Sequence, residues 1–468
     1  MENNKRLKQK VVPFNQSTAY FIKKASQAEN SDRLLDALVY YRKAREMEPG
    51  NISVLTAMAD IYTELEYFEE SNALIYEALR KDPTSREELT FLLGCNYMGM
   101  SYLSNADTCF RQYQKEHPDG EYTEEINDFF DFIGNVPLDA MDTPMSEDSL
   151  ATYSKIYNAR RMMIEKKEEQ SIAIYKELLE AEPDNITVLN DLALAYYAVG
   201  DIKKAIECNR KVLDIEPENV AAISNLIVFY RTEGNEFSAK KFTAILTNLE
   251  IAQPDDLHKA AFILSWAGEY QKAYDCVIEL LDYNPHDANA LHMAGISAYN
   301  IGEFDEAMDY WEAVQKLLPD NVTAQYYINK AKESKQNDSD DKLEYLFEIP
   351  LDEAETQVEG LQDALIQNAE DVKVQWEQDF GFRSLLIWAL GNFEGELYYK
   401  LVDLLLGIRD ERALFELYRQ LLNPKIERVE KQYIVKGLLE IGEKPPFFVD
   451  VDGKVEQIAS VGELEPRN

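Results

Sequence analysis

Four histidines and four cysteines are the residues of this 468-residue chain whose types could bind a metal or attack a substrate. The cysteines, Cys95, Cys109, Cys208 and Cys276, contain no C-x-x-C pair, and their spacing suggests neither a zinc site nor a disulfide framework. Each falls in an apolar stretch with helical patterning, so they read as buried free thiols of a reducing cytoplasm. His117 and His286 flank prolines and read as turn residues. His258 and His292 stand 34 residues apart, but two imidazoles do not make a structural zinc site, which needs four protein ligands. No phosphate-binding glycine loop, H-e-x-x-H helix or G-x-S-x-G elbow occurs. Asp450 and Asp452 precede Gly453, yet a calcium loop needs a Glu six positions after its glycine, and Ala459 stands there. The expectation is a protein that is not an enzyme, with no catalytic residue, metal or cofactor.

Charge narrows the partners. Lys plus Arg number 48 against 86 Asp plus Glu, a net charge of −38. A surface this acidic repels nucleic-acid phosphates and the anionic cytoplasmic leaflet, so the expected partner is a protein or peptide, basic or apolar. No apolar run is long enough to span a bilayer. The basic N-terminal stretch "MENNKRLKQKVVPFNQST" reads as a solvated tail, with a docking arm for an acidic surface as the alternative.

The elements that position these residues repeat. Pro49 and Pro83 are 34 apart, as are Pro183 and Pro217, and Pro285 and Pro319. Gly200, Gly234, Gly268 and Gly302 step by the same 34. The unit "ITVLNDLALAYYAVGDIKKAIECNRKVLDIEPEN" (186–219) reads as two amphipathic helices joined at Gly200-Asp201. Leu189, Leu192, Ala193 and Tyr196 form one apolar stripe, and Gly200 stands where a helix C-cap needs positive φ. Pro217 ends the second helix.

This pattern resembles the tetratricopeptide repeat family, whose period is 34. Small residues recur where that family's two helices touch closely: Ala25/Ala37, Ala193/Ala205, Ala261/Ala273 and Gly295/Ala307. Eight units start at Thr18, Ile52, Arg86, Thr152, Ile186, Val220, Pro254 and Ala288. The unit from Thr152 carries Lys166 where later ones have glycine, and "VTAQYYINKAKE" (322–333) resembles a solvating cap. The resemblance implies an all-α fold, a right-handed α-solenoid of helix-turn-helix repeats. It also implies that the first helix of each unit lines a concave face.

The residues at the corresponding positions are Thr187, Asn190, Leu194 and Tyr197; Ser224, Val228 and Arg231; Asp255, His258, Phe262, Ser265 and Trp266; and Asn289, His292, Ile296 and Tyr299, with Tyr326 from the last helix. The candidate peptide-binding set is Asn190, Tyr197, Arg231, His258, Phe262, Trp266, His292 and Tyr299, an aromatic groove with imidazole rims. The alternative is that these aromatics pack against neighbouring repeats or the C-terminal domain. The first array offers Ser53, Thr56, Asp60, Thr63 and Glu64, a small and acidic surface. The Lys/Asn/Arg carboxylate clamp of the family's co-chaperones is not assembled here; Asn225 and Lys259 are only fragments of it.

Beyond the array, "SKQNDSDDK" (334–342) reads as a polar linker. "LLLGIRDERALFELYRQLL" and "NPKIERVEKQYIVKGLLEIG" resemble HEAT-type helix pairs, and "FFVDVDGKVEQI" reads as a β-hairpin turning at Asp452-Gly453. The stretch "INDFFDFIGNVPLDAMDTPMSED" (126–148) interrupts the repeats. It reads as a Phe-rich capping helix followed by an acidic loop that serves as a hinge, or alternatively as a docking segment. The expected organisation is a tail (1–17), a first array (18–118), the acidic helix and hinge (119–151), a second array with its cap (152–333), the linker (334–342), a HEAT-like helical domain (343–446), and a hairpin with tail (447–468). The expected function is a non-catalytic interaction scaffold, with a peptide-responsive regulator that changes shape, or a structural part of a larger assembly, as alternatives.

Overall fold

A computed structural model describes residues 17–465 except 83–85, 101, 136–146, 165, 338, 351–352, 355, 357–360 and 362–368. The basic tail and the acidic loop, and with it the hinge, therefore lie outside the described residues. The fold is all-α, a solenoid of helix pairs, with a single two-stranded sheet among the described residues. The chain forms two compact units: one joins the chain up to Ile126 with the chain after Ala354, and the other is Asn127–Ala354.

In the first unit three helix pairs follow one another: α1 (Thr18–Glu29) with α2 (Leu34–Met47), α3 (Ile52–Glu64) with α4 (Phe68–Lys81), and α5 (Arg86–Gly99) with α6 (Leu103–Glu116). α7 (Thr123–Asn135) comes next, and the division between the units falls inside it. Ser17 and Asn51 cap α1 and α3 by accepting backbone N–H bonds, which satisfies donors that the first turn leaves orphaned. The C-terminal part of this unit holds α19 (Ala369–Gln378), α20 (Phe380–Asn392), α21 (Gly395–Ile408), α22 (Glu411–Leu422) and α23 (Arg428–Glu440). Their core is built on Trp376, Leu390, Tyr398, Leu405, Leu417 and Ile434. Strands β1 (Phe447–Val451) and β2 (Lys454–Ile458) pair antiparallel, with Val451 opposite Lys454. Asp452 and Gly453 both take positive φ, 54° and 82°, as a type I′ turn requires. Phe447 and Val449 are buried in the helical core.

The C-terminal domain covers the outer helix of the second repeat. Tyr76 of α4 lies 4.8 Å from the Phe448 ring, and the Arg80 guanidinium sits 4.1 Å from the Tyr418 ring. Arg80 also pairs with Glu443 at 3.4 Å, Lys81 with Glu411 at 2.8 Å, and Asn105 donates to the Gly453 carbonyl at 2.9 Å.

The second unit contains α8 (Glu147–Ile164) with α9 (Glu168–Ala181), α10 (Ile186–Ala198) with α11 (Ile202–Ile215), α12 (Val220–Thr232) with α13 (Glu236–Thr247), α14 (Pro254–Ala267) with α15 (Tyr270–Tyr283), α16 (Ala288–Ile301) with α17 (Phe304–Leu317), and the single α18 (Val322–Asn337). Asn185, Asn219 and Asp287 cap their helices through the side-chain oxygen. Gly200, Gly234, Gly268 and Gly302 all turn with φ between 79° and 91°. At the equivalent turns Asp32, Glu66 and Lys166 adopt the same left-handed conformation without glycine's freedom. A Cβ on Gly295 would stand 2.5 Å from Trp311, so only glycine lets the fully buried indole lie against that helix.

The structure departs from the sequence reading in three places. α8 starts at Glu147 rather than Thr152. α18 continues to Asn337, and residues 343–349, assigned above to the C-terminal domain, instead lie against the second array. Of the cysteines only Cys208 is fully buried; the other three are half-buried free thiols.

Candidate peptide-binding groove

The groove forms where the first helices α14 and α16 stand beside α18, and a segment of the chain's own lies in it. After α18 the chain runs on without regular structure from Ser339 to Pro350. Asn300 grips the backbone of Leu343 in both directions: its Nδ2 donates to the Leu343 carbonyl at 2.8 Å, and its Oδ1 accepts the Leu343 N–H at 2.7 Å. Lys342 donates to the Asn300 carbonyl at 2.9 Å. The Tyr345 ring is 7% exposed, lies 6.1 Å from Phe262, and its hydroxyl bonds Ser297. Burial pushes that hydroxyl's pKa up to about 12. Phe347 stacks on His258 at 6.4 Å with only 10° between the planes.

His292 reads the next carbonyl. Its Nε2 lies 2.7 Å from the Leu346 oxygen, and its Nδ1 is 3.1 Å from Trp311 Nε1. An indole N–H only donates, so Nδ1 must accept; a carbonyl only accepts, so Nε2 must carry the proton. The ring is therefore held neutral in one tautomer. Burial pushes its pKa down to about 4, against a small opposing effect of the Leu346 bond.

The other candidates are placed differently. Asn190 accepts from Asn209 at 2.6 Å and reaches the capping Asn219 at 3.4 Å, so it ties adjacent repeats together. Tyr197 stacks on Phe229 at 4.9 Å and its hydroxyl meets Thr232 at 3.1 Å. Tyr299 is 1% exposed and bonds Ser334 at 2.6 Å; it is a core residue and offers no surface to a partner. Arg231 donates to the Trp266 and Ala267 carbonyls at 3.1 and 3.3 Å, closing the C-terminus of α14, and stacks 4.3 Å from the Trp266 ring. Trp266 is 46% exposed and Phe262 41% exposed, large apolar rings open to a ligand.

Residues 162–228 and 289–321 match family models described as tetratricopeptide repeat. These two stretches of the chain are tetratricopeptide repeats. The chain is similar to the TPR repeat-containing protein YvcD of Bacillus subtilis, at 24% identity over 310 residues, 66% of this chain and 64% of that one. It is 26% identical over 69 residues to tetratricopeptide repeat protein 9C of Xenopus tropicalis, 15% of this chain and 39% of that one. The chain thus spans less than two thirds of the length of either relative. Among solved structures, a crystal structure of MamA protein aligns with 42% of this chain and 98% of its own at 19% identity and a TM-score of 0.27.

The helix pairs of the first array present a different surface. Asp60, beside Glu88 and Glu29, has its pKa pushed up to about 6, chiefly by burial and then by those two carboxylates. Asn96 bridges Ser71 and Asn72 at 2.8 and 2.9 Å and accepts from Thr63 at 2.8 Å, a buried polar ladder between repeats. Among the described residues no cluster of three or more His, Cys, Asp or Glu is placed to hold a metal, and no helix is long and apolar enough to cross a membrane. Asn300 and Ser297 were missed in the sequence, although Asn300 holds the thirteenth position of its unit, one that faces the groove in this family.

Proposed function

We propose that this protein is a non-catalytic interaction scaffold that holds a segment of a partner protein in the concave face of its second array. The observation that supports it most is the set of groove side chains that bind backbone amides: Asn300 on both groups of Leu343, and His292 on the Leu346 carbonyl. Side chains spent on main-chain groups suit a site for a non-helical peptide. Phe262, Trp266 and His258 supply the adjacent aromatic anchors, with Arg231 fixing the Trp266 plane. The net charge of −38 favours a basic or apolar segment. The site of action is the cytoplasm, as the free thiols with raised pKa suit a reducing compartment.

The test is capture of partners by the full chain and by a Phe262→Ala/Trp266→Ala variant that keeps its helical circular dichroism. The wild type should retain a partner that the variant loses. An identical set of partners on both proteins rejects the groove. A second reading, a regulator whose shape responds to peptide, is favoured by the presence of the chain's own segment in the groove. Solution scattering with saturating peptide checks it; an unchanged profile rejects it.

A further inference from the structure

The segment 342–349 is placed as a ligand is placed. Its main chain is read at two points by Asn300 and His292, and its tyrosine enters a pocket with a polar end at Ser297. Tyr345 and Ile349 turn inward and Leu343 is half-buried, while Lys342, Glu344, Leu346, Phe347 and Glu348 are exposed. Only a few residues separate it from the end of α18 at Asn337. Such a tether holds a segment at an effective concentration on the order of millimolar, so modest contacts keep it seated.

We infer that Lys342–Ile349 is a built-in competitor for the groove, and that the partner segment is a non-helical peptide of the same chemistry, with a basic residue three positions before a buried tyrosine and an aromatic residue two positions after it. This rests on the reading of the groove as a peptide site. The basic residue is required because Lys342 lies against the Asn300 carbonyl and the Tyr270 ring. The tyrosine is required because Ser297 meets a hydroxyl that phenylalanine lacks. A partner enters by taking the same Asn300 and His292 bonds, which the chain's own segment must first release.

The experiment uses a fluorescent peptide of residues 340–350, DDKLEYLFEIP, added to the full chain. Anisotropy is compared for wild type and for Tyr345→Ala/Phe347→Ala, which weakens the internal competitor. The variant should bind at least ~10-fold more tightly, as expected when a tethered competitor near millimolar effective concentration is removed. Adding Asn300→Ala to the variant should abolish that gain. Equal affinity for wild type and variant overturns the inference, as does a gain that survives Asn300→Ala. Hydrogen exchange on the wild type needs no substitution: saturating peptide should deprotect the Leu343 amide, and unchanged protection overturns the inference. If displacement fails while Phe262→Ala/Trp266→Ala still loses the partner, the competitor is refuted and the groove stands. If that variant keeps its partner, the groove reading itself falls.

Discussion

The two arrays are built from one repeat, yet each is covered on a different face and by different chemistry. The first array is covered on the outer helix α4, where long charged side chains meet rings and carboxylates: Arg80 on Tyr418 and Glu443, Lys81 on Glu411. The second is covered in its groove, where neutral amide, hydroxyl and imidazole groups bind main-chain atoms and one tyrosine hydroxyl. Charge-based contacts at a partly exposed surface are screened by salt; neutral hydrogen bonds in a buried groove are not. The difference teaches that one face packs side chain against side chain, while the other binds main-chain atoms, and under the function proposed above that second face would hold a chain that can be exchanged.

The strongest way to break the comparison is to remove the indole beneath the groove. Trp311→Ala should cost the second unit ~3–5 kcal/mol, because it empties a fully buried site and leaves His292 Nδ1 without its donor. Chemical denaturation measures it, and a loss below ~1 kcal/mol would show that the indole does not support the groove. The matching cut in the first unit is Asp450→Ala. The Lys431 ammonium is buried against the Asp450 carboxylate at 3.3 Å and its carbonyl at 2.8 Å, so deleting the carboxylate should cost about 3 kcal/mol. A stability unchanged in urea would remove that pair from the account.

Acid should act on the second array through His292. Its folded pKa lies near 4, below the ordinary 6.5, so the unfolded chain takes up a proton that the folded ring refuses. Stability from this group is therefore complete above pH 6.5 and is lost as pH falls toward 4, by an amount on the order of 2–3 kcal/mol. Comparing wild type with His292→Gln at pH 7 and pH 4.5 isolates it; parallel pH profiles would reject the neutral-imidazole account. In the first array the sign reverses. Asp60 is held near pKa 6, above its usual 3.8, so its folded form loses stability as pH rises through that window. Asp60→Asn should raise stability at pH 7 by about 1–2 kcal/mol, discounted for partial exposure, and by nothing below pH 4. A destabilised variant at pH 7 would mean that the carboxylate has a favourable partner.

The smallest effect lies at the turns. Glu66 is left-handed at φ 64°, where the later repeats use glycine. Glu66→Gly should add roughly 0.5–1 kcal/mol, the left-handed strain relieved less glycine's extra unfolded entropy. A melting point that falls instead would show that Glu66 makes a contact worth more than its strain.

Much of this fold is legible in the sequence because repeats state their constraints many times over. Gly200 through Gly302 mark the same left-handed turn at each step, and Gly295 with Ala307 marks a close helix crossing. Asp452-Gly453 announces its turn by residue type alone. The groove was only partly legible. His258 and Phe262 face it, but Tyr299, though aromatic at a groove-facing position, is drawn inward by Ser334 and Phe304. The segment that fills the groove shows alternating Leu343, Tyr345, Phe347 and Ile349, yet alternation does not say which surface will receive it. That answer depends on Asn300 and Ser297, whose roles appear only when the helices stand side by side.

Asn300 carries one more implication. A carboxamide that holds both main-chain groups of one residue, by its donor and its acceptor, is indifferent to the side chain on that residue. In a groove that takes a peptide, holding would thus be separated from choosing: Asn300 would keep a chain in register, while Ser297 and Phe262, which meet Tyr345 two places on, would select the residue there. Substituting those two pocket residues would then rewrite the preference of the site without loosening its grip, so that the groove would be a reader whose alphabet can be changed one letter at a time.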